Sequence, residues 1–145
     1  MAGPSSLDPA LIRAYRKTIY RVLADPPFDL LLGRYSAALE AWQCAQGVTC
    51  SALITAANPR SQPLSDQENK SRNSLLEKDL DDRVALAAEN IDPDGAWPVE
   101  RGFLVAGLTA AQSKRLAERW QQIAWLQSDG DAIPRLEFTR DPALS

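Results

Sequence analysis

Residues 52–68, with the sequence ALITAANPRSQPLSDQE, carry the most structural information in the chain. The run 52–56 is apolar and does not alternate with polar residues, which is typical of a strand buried on both faces. Asn58-Pro59 ends that run, because proline has no backbone donor for a strand ladder. Ser65 and Glu68 then have the spacing of a capping box, which starts a helix. This stretch therefore predicts a central strand that leads through a proline-bounded loop into a helix.

Similar signals on both sides of this unit complete the predicted order of elements. Asp8-Pro9 is a helix start, and two β-rich runs, 17–23 and 28–32, predict a hairpin; one helix over residues 8–24 is the alternative. Helices are also predicted from Ser36 to Gly47, from Ser65 to about Asp82 and after the capping box Thr109–Gln112. The remaining strands are predicted at 84–88, 103–106, 123–126 and 136–138.

The order β-β-α-β-α-β-β-α-β-β after a short helix predicts the fold class. We expect an α/β (α+β) domain with a mixed sheet and helices packed on it, because strands pair as hairpins at both ends. A chain of 145 residues has room for one core. We therefore expect a single globular domain over residues 8–140, with flexible termini at 1–7 and 141–145.

Composition excludes several classes of function. The chain has no histidine, which removes Ser-His-Asp and Cys-His nucleophile systems and histidine-ligated metals. Cys44 and Cys50 match no zinc or redox motif, so we expect them to be reduced and buried and expect no metal site. No cofactor-binding motif is present, and the absence of a Gly-rich phosphate loop favours a binding protein over an enzyme.

Charge and hydropathy restrict the partners and the location. Sixteen basic and nineteen acidic residues give a net charge of −3, so nucleic acid is not an expected partner, although Arg13, Arg16, Lys17 and Arg21 form a small basic cluster. No apolar run approaches the ~20 residues of a membrane span, and no secretion signal is recognisable. We therefore expect a soluble cytoplasmic protein.

The loop after the central strand is the predicted binding site. Asn58, Arg60 and Ser61 lie where open α/β sheets place ligands, next to a helix N-terminus that favours anions. Stepping back by helical turns from Leu76, which is predicted to face the sheet, reaches Arg72 and Asn73 and then Asn69. The inward face of the helix thus becomes polar as it approaches the loop. These residues either bind a ligand or brace the loop from inside.

Two residues further along the chain are further candidates. Trp97 follows the Asp92–Gly95 turn and either stacks on a flat ligand or closes the edge of the core. Glu100 either forms an ion pair with Arg72 or is buried alone, in which case its pKa rises and it can act as a general base. The sequence leaves both pairs of alternatives open, and no catalytic residue is assigned.

The same residues resemble the signature of an uncharacterised bacterial family, domain-of-unknown-function family 3293. The similar positions are Ile54-Thr55-Ala56-x-Asn58-Pro59-x-Ser61, Glu68-Asn69, Arg72, Leu75-Leu76, the segment DPDGAWPVE at 92–100, and Phe103 to Leu108. The resemblance spans Tyr15 to Phe138 and departs from the family pattern at Trp120-Gln121-Gln122. Because the family has no assigned activity, the resemblance supports the fold boundaries and the choice of polar residues, and implies no chemistry.

Two hypotheses of function follow. In the first, Asn58, Arg60, Ser61, Asn69, Arg72, Trp97 and Glu100 bind a small anionic or nucleotide-like ligand. In the second, the polar residues only brace the loop and the chain is a protein–protein interaction module or a homodimer. Its contact would be an open sheet edge or the acidic residues from Glu77 to Asp82.

Overall fold

The computed structural model describes residues 9–140, which form one α+β domain. Its helices are α1 (Pro9–Lys17), α2 (Ala37–Ala45), α3 (Asp66–Asp79) and α4 (Ala110–Arg119). Its strands are β1 (Ile19–Val22), β2 (Phe28–Leu30), β3 (Ser51–Ile54), β4 (Ala85–Ile91), β5 (Glu100–Ala106), β6 (Ala124–Ser128) and β7 (Arg135–Phe138). A single 3₁₀ turn, Pro59–Ser61, lies between β3 and α3.

The α+β class and the element order are those predicted, but the sheet of the described chain is antiparallel throughout and not mixed as expected. The seven strands of the described chain form one sheet in the order β2-β1-β4-β5-β3-β6-β7, and each pairing is antiparallel. Helices α3 and α4 each connect two strands that run in the same direction with one antiparallel strand between them: α3 leads from β3 to β4 across β5, and α4 leads from β5 to β6 across β3. The N-terminal hairpin prediction is confirmed over the single-helix alternative. The sheet curls into a half-barrel.

Two apolar layers hold the helices on opposite faces of the sheet. Leu53 of β3 and Leu104 of β5 belong to a cluster that includes Leu39 of α2. The alternate residues of the same strands point the other way and pack with Leu76 of α3 and Ala117 of α4. Every residue of β3 is buried, which confirms the prediction of a strand covered on both faces.

Local capping fixes where the helices begin. Ser65 accepts from the Glu68 amide and Glu68 accepts in return from the Ser65 amide; Thr109 and Gln112 do the same for α4. Both predicted capping boxes are therefore confirmed. α3 ends at Asp79, three residues before the predicted Asp82, because Asp81 adopts a left-handed φ of 59° that cannot continue a helix.

Some predictions fall outside the described residues and one is wrong. The flexible termini expected at 1–7 and 141–145, and the capping role of Asp8, lie outside the residues that the structure describes. Cys44 and Cys50 are free, as expected, but neither is buried: Cys44 is exposed on α2 and Cys50 is half-buried before β3. Their spacing contained no information on which way each side chain points.

Gly102 allows β5 to approach the end of β3 closely. A Cβ atom at this position would lie 2.5 Å from the Ile54 carbonyl oxygen and 3.0 Å from Cβ of Thr55. The clash would be with backbone, which cannot move without displacing the strand that leads into the Asn58 loop. Glycine is therefore a requirement of packing at this position.

We expect Gly102→Ala to lower the free energy of unfolding by about 1–3 kcal/mol, the usual cost of overpacking a close contact. Chemical denaturation of the purified protein measures the change. Gly130→Ala is the matched control, because its Cβ would meet only the Thr49 carbonyl oxygen at 3.7 Å. Equal stability of the two variants would contradict the packing argument.

Candidate functional site

The loop between β3 and α3 is held by polar side chains of α3. The amide oxygen of Asn69 accepts from the Asn58 backbone N–H, and its Nδ2 donates to the Asn58 side-chain oxygen, both at 2.8 Å. Asn73, one turn further along, accepts from the Ala56 N–H at 2.9 Å and donates to the Arg101 carbonyl at the same distance. Two asparagines on one face of α3 thus provide hydrogen-bond partners for backbone groups at the point where β3 leaves the sheet.

Arg72 lies between these asparagines on α3 and also contacts backbone. Its Nε donates to the Ala56 carbonyl at 2.6 Å, and its Nη2 donates to the Trp120 carbonyl at 2.8 Å. The guanidinium stacks on the Trp120 ring, 5.5 Å from the ring centre. Arg72 therefore ties α3, the loop and the end of α4 together.

The loop backbone is strained. Asn58, Arg60 and Ser61 have φ values of 46°, 53° and 59°, in the left-handed region that non-glycine residues adopt at a cost of about 1–2 kcal/mol each. The Asn58 side chain compensates in part, since its oxygen also accepts from the Leu64 N–H at 3.0 Å. The prediction that Asn58 and Asn69 brace this turn describes their contacts well.

The backbone amides of the loop are already used. The Arg60 amide donates to the Gln121 carbonyl, the Ser61 amide to Asn58 and the Gln62 amide to Pro59. The carboxylate of Glu68 occupies the first turn of α3 through the capping box. The amides of the 3₁₀ turn are therefore engaged, and the exposed side chain of Arg60 is the positively charged group that the turn itself presents.

A rule for open α/β sheets predicted a ligand at this loop from the sequence, and that rule does not apply to this sheet. That rule concerns strands whose carboxyl ends gather at one edge of a parallel sheet. β3 lies between two antiparallel neighbours, so its carboxyl end adjoins the amino ends of β5 and β6. The residue that this arrangement brings next to the loop is Glu100, the first residue of β5.

Glu100 is held by amides and has no positively charged partner within residues 9–140. Its Oε2 accepts from Asn58 Nδ2 at 3.0 Å, and its carboxyl group also forms a hydrogen bond with the Asn90 side chain. Burial raises the pKa of Glu100 to about 7, and the two amide hydrogen bonds only partly oppose that rise. The sequence left an ion pair with Arg72 open; the structure places Glu100 alone instead.

Asn90 adds an unusual feature beside Glu100. The two residues are partners in the β4–β5 pairing. Asn90 Oδ1 is buried and receives no hydrogen bond from the described residues, so its Nδ2 is the group that donates to Glu100. An acceptor without a donor therefore lies next to a carboxyl group that titrates near neutral pH.

Helix α1 and strand β1 each bring a tyrosine to this part of the molecule. The Tyr15 hydroxyl lies 3.2 Å from Ser61 Oγ, and the Tyr15 carbonyl accepts from the Tyr20 hydroxyl at 3.2 Å. Burial raises the pKa of both phenols, and Glu100 contributes to the rise at each. Tyr15, Ser61, Asn58, Asn90 and Glu100 are all partly exposed, and we call this polar group the Glu100 cluster.

The remaining predicted residue does not join this cluster in the described contacts. Trp97 is 60% exposed, so the interpretation that it closes the edge of the core is wrong. Sequence reasoning missed Tyr15 and Asn90, and nothing local marks either residue. Asn73 lies on the polar stripe of α3 that the sequence indicates, but it was not among the predicted ligand-binding residues.

The surfaces proposed for a protein partner are only partly available. Asp79 of the acidic segment accepts from Arg119 at 2.7 Å and from the Trp120 indole at 3.0 Å, whereas Glu77, Asp81 and Asp82 are exposed. The edge strands β2 and β7 are short and carry charged residues, a pattern that discourages edge pairing.

Comparison with known proteins gives one match. Residues 54–124 match the model of a family described as "Protein of unknown function (DUF3293)". This segment includes the Asn58 loop, α3 and Glu100, and it is shorter than the resemblance noted above. No curated protein and no solved structure matches the chain. None of the helices within residues 9–140 is long and apolar enough to cross a membrane.

We expect Asn69→Ala to lower the free energy of unfolding by about 1–2 kcal/mol, because it leaves the Asn58 N–H without its acceptor. Urea unfolding measures the loss. Gln67→Ala, an exposed position on the same helix, is the control and should change stability by less than about 0.5 kcal/mol. If the two variants were equally stable, the bracing by Asn69 would be refuted.

The raised pKa of Glu100 predicts how stability depends on pH. The folded carboxyl group keeps its proton up to about pH 7, whereas the unfolded chain releases it near the ordinary value of 4.5. The stabilisation is therefore complete below pH 4.5 and is lost as the pH rises through 7, a change on the order of 2–3 kcal/mol.

Glu100→Gln should remove this dependence, because glutamine is neutral at every pH and its amide can donate to Asn90 Oδ1. Unfolding free energies at pH 5, 6, 7 and 8 make the comparison. Glu137→Gln, an exposed residue of β7, should leave the wild-type dependence on pH unchanged. A Glu100→Gln variant that is no more stable than the wild type at pH 8 would show that Glu100 is not buried alone.

Proposed function

We propose that this chain, a member of the DUF3293 family, is a binding protein for a small polar ligand at the Glu100 cluster. The observation that carries the proposal is the Glu100 carboxyl group, which belongs to a partly exposed residue and has no positively charged partner in the described chain. A buried carboxyl group without a counter-ion is costly to keep and is typical of functional sites.

The contacts favour a ligand that donates a hydrogen bond to the cluster. Glu100 and the Asn90 oxygen are acceptors, and the Tyr15–Ser61 hydroxyl pair can accept or donate. A hydroxyl, amine or amide group of the ligand would satisfy these acceptors. Asn69, Arg72 and Asn73 act as supports in this proposal, because their hydrogen bonds go to backbone of the loop or to its neighbours.

Arg60 is the reason that the proposed ligand carries an anionic group. It is the exposed cation of the 3₁₀ turn, next to Ser61. A ligand with a donor at one end and a carboxylate or phosphate at the other would use Glu100 and Arg60 together. Trp97, three residues before Glu100, remains a predicted stacking surface for a nucleotide-like ligand.

The strained loop supports binding. Three left-handed residues within four positions are retained although α3 must hold them in place. Such strain is common where a chain must present particular groups in a fixed geometry. A braced loop also loses little entropy when a ligand binds, which favours affinity.

The proposal is tested by screening a library of small amines, alcohols, carboxylates and nucleotides by two-dimensional NMR. We expect hits that perturb Tyr15, Ser61 and Glu100 and that lose at least tenfold in affinity in Glu100→Gln, about 1.4 kcal/mol. Tyr15→Phe should also weaken them. Tyr35→Phe, at an exposed tyrosine before α2, is the matched control.

A failed screen would contradict ligand binding and direct attention to the interaction-module hypothesis. If the library gives no hit at the cluster, or if hits bind Glu100→Gln as well as wild type, the ligand-binding proposal fails. Sedimentation velocity on the same protein then tests the interaction-module hypothesis directly, since a homodimer through a sheet edge would sediment as a dimer. A monomer at the same concentrations would leave no support for self-association.

A further inference from the structure

A second recess lies between the ends of α3 and α4 and shares no residue with the Glu100 cluster. It holds about 320 Å³, within the range of small-molecule sites. Its lining combines the end of α3, the connection to β4 and one face of α4: Asp79, Leu80, Arg83, Leu108, Gln112, Arg115, Leu116 and Arg119. We call it the arginine groove.

The charge of the lining is positive. Three arginines and one carboxylate line the groove. Asp79 is engaged by Arg119, whose Nη1 lies 2.7 and 2.9 Å from the two carboxylate oxygens. Arg83 and Arg115 are exposed and form no ion pair within residues 9–140. The acidic neighbours in sequence, Asp82 and Glu118, do not line the groove, so two arginines face it without a local counter-charge.

The floor of the groove is apolar. Leu80 and Leu108, each 2% exposed, lie at the bottom of the groove, and Leu116 of α4 is half-buried in its lining. A bare inorganic anion would use only the arginines. A ligand with an apolar body attached to an anionic group would use both surfaces.

Asp79 is fixed in place from behind. Its Oδ2 also accepts from the Trp120 indole nitrogen at 3.0 Å. This second donor holds the carboxylate, and the carboxylate in turn holds Arg119 at the edge of the groove. Arg119 can still use its other donors, because a guanidinium has five N–H groups in a planar fork.

We propose that the arginine groove is a binding site for a small organic phosphate, whose phosphate is bound by Arg83 and Arg115 and whose apolar body lies on Leu80, Leu108 and Leu116. Arginine pairs with phosphate through two parallel hydrogen bonds, which lysine cannot provide. The site is independent of the Glu100 cluster, so each can fail without the other.

Phenyl phosphate is the probe, with inorganic phosphate and phenol as its two halves. We expect phenyl phosphate to bind in NMR titrations at least tenfold more tightly than either half and to shift the Trp120 indole N–H signal. This signal is assigned by its loss in Trp120→Phe. Stronger binding of the whole than of its parts requires the apolar floor and the arginines to lie in one recess.

Arg115→Gln should weaken phenyl phosphate at least tenfold. Lys114→Gln removes the same charge from the neighbouring exposed position of α4, outside the groove, and should weaken binding less than twofold. Circular dichroism melts of both variants establish that they are folded. The affinity of the Arg83→Gln variant for phenyl phosphate tests the other side of the groove in the same way.

Two results would overturn the proposal. If phenyl phosphate binds no more tightly than inorganic phosphate, the groove recognises charge alone and no organic phosphate is selected. If Lys114→Gln weakens binding as much as Arg115→Gln, the effect comes from the general field of α4 rather than from the groove.

Discussion

The structure depends on how β3 leaves the sheet. A strand buried on both faces and paired on both edges must end within the core, where its last backbone groups have no further strand to pair with. The amides of Asn69 and Asn73 and the guanidinium of Arg72 supply those partners from α3. The loop can therefore adopt a conformation that its own residues disfavour, and it brings Asn58 against the first residue of β5.

This arrangement also explains why Glu100 keeps an unusual pKa. Its neighbours are amides and hydroxyls, which can adapt to a charged or a neutral carboxyl group but cannot replace a cation. The nearest guanidinium on α3, that of Arg72, already binds the Ala56 and Trp120 carbonyls. The same contacts that stabilise the loop thus prevent an ion pair that would have lowered the pKa.

Local signals in the sequence predicted the fold well, and contacts distant in sequence account for what they missed. The two capping boxes, the apolar run of β3 and the hairpin each depend on residues within a few positions of one another. Whether Arg72 reaches Glu100 or Ala56 depends on the rotation of α3 about its axis, which tertiary packing sets. Tyr15 contacts Ser61 across 46 positions of sequence, and no pattern within α1 indicates that contact. To predict that every strand pairing is antiparallel, the order of the strands in the sheet must also be known, and the hydropathy pattern does not determine that order.

The curl of the sheet has a consequence for synthesis of the chain. The Gly33 amide donates to the Pro134 carbonyl at 2.7 Å and the Ser36 amide to the Ala132 carbonyl at 3.0 Å, so the segment after the first hairpin is latched to the last one. On the ribosome, the N-terminal hairpin must wait for the segment between β6 and β7 to emerge before this latch can close. Until then the apolar cluster that includes Leu39 of α2 lacks Leu126 and Ala132, so this part of the core is completed late in synthesis.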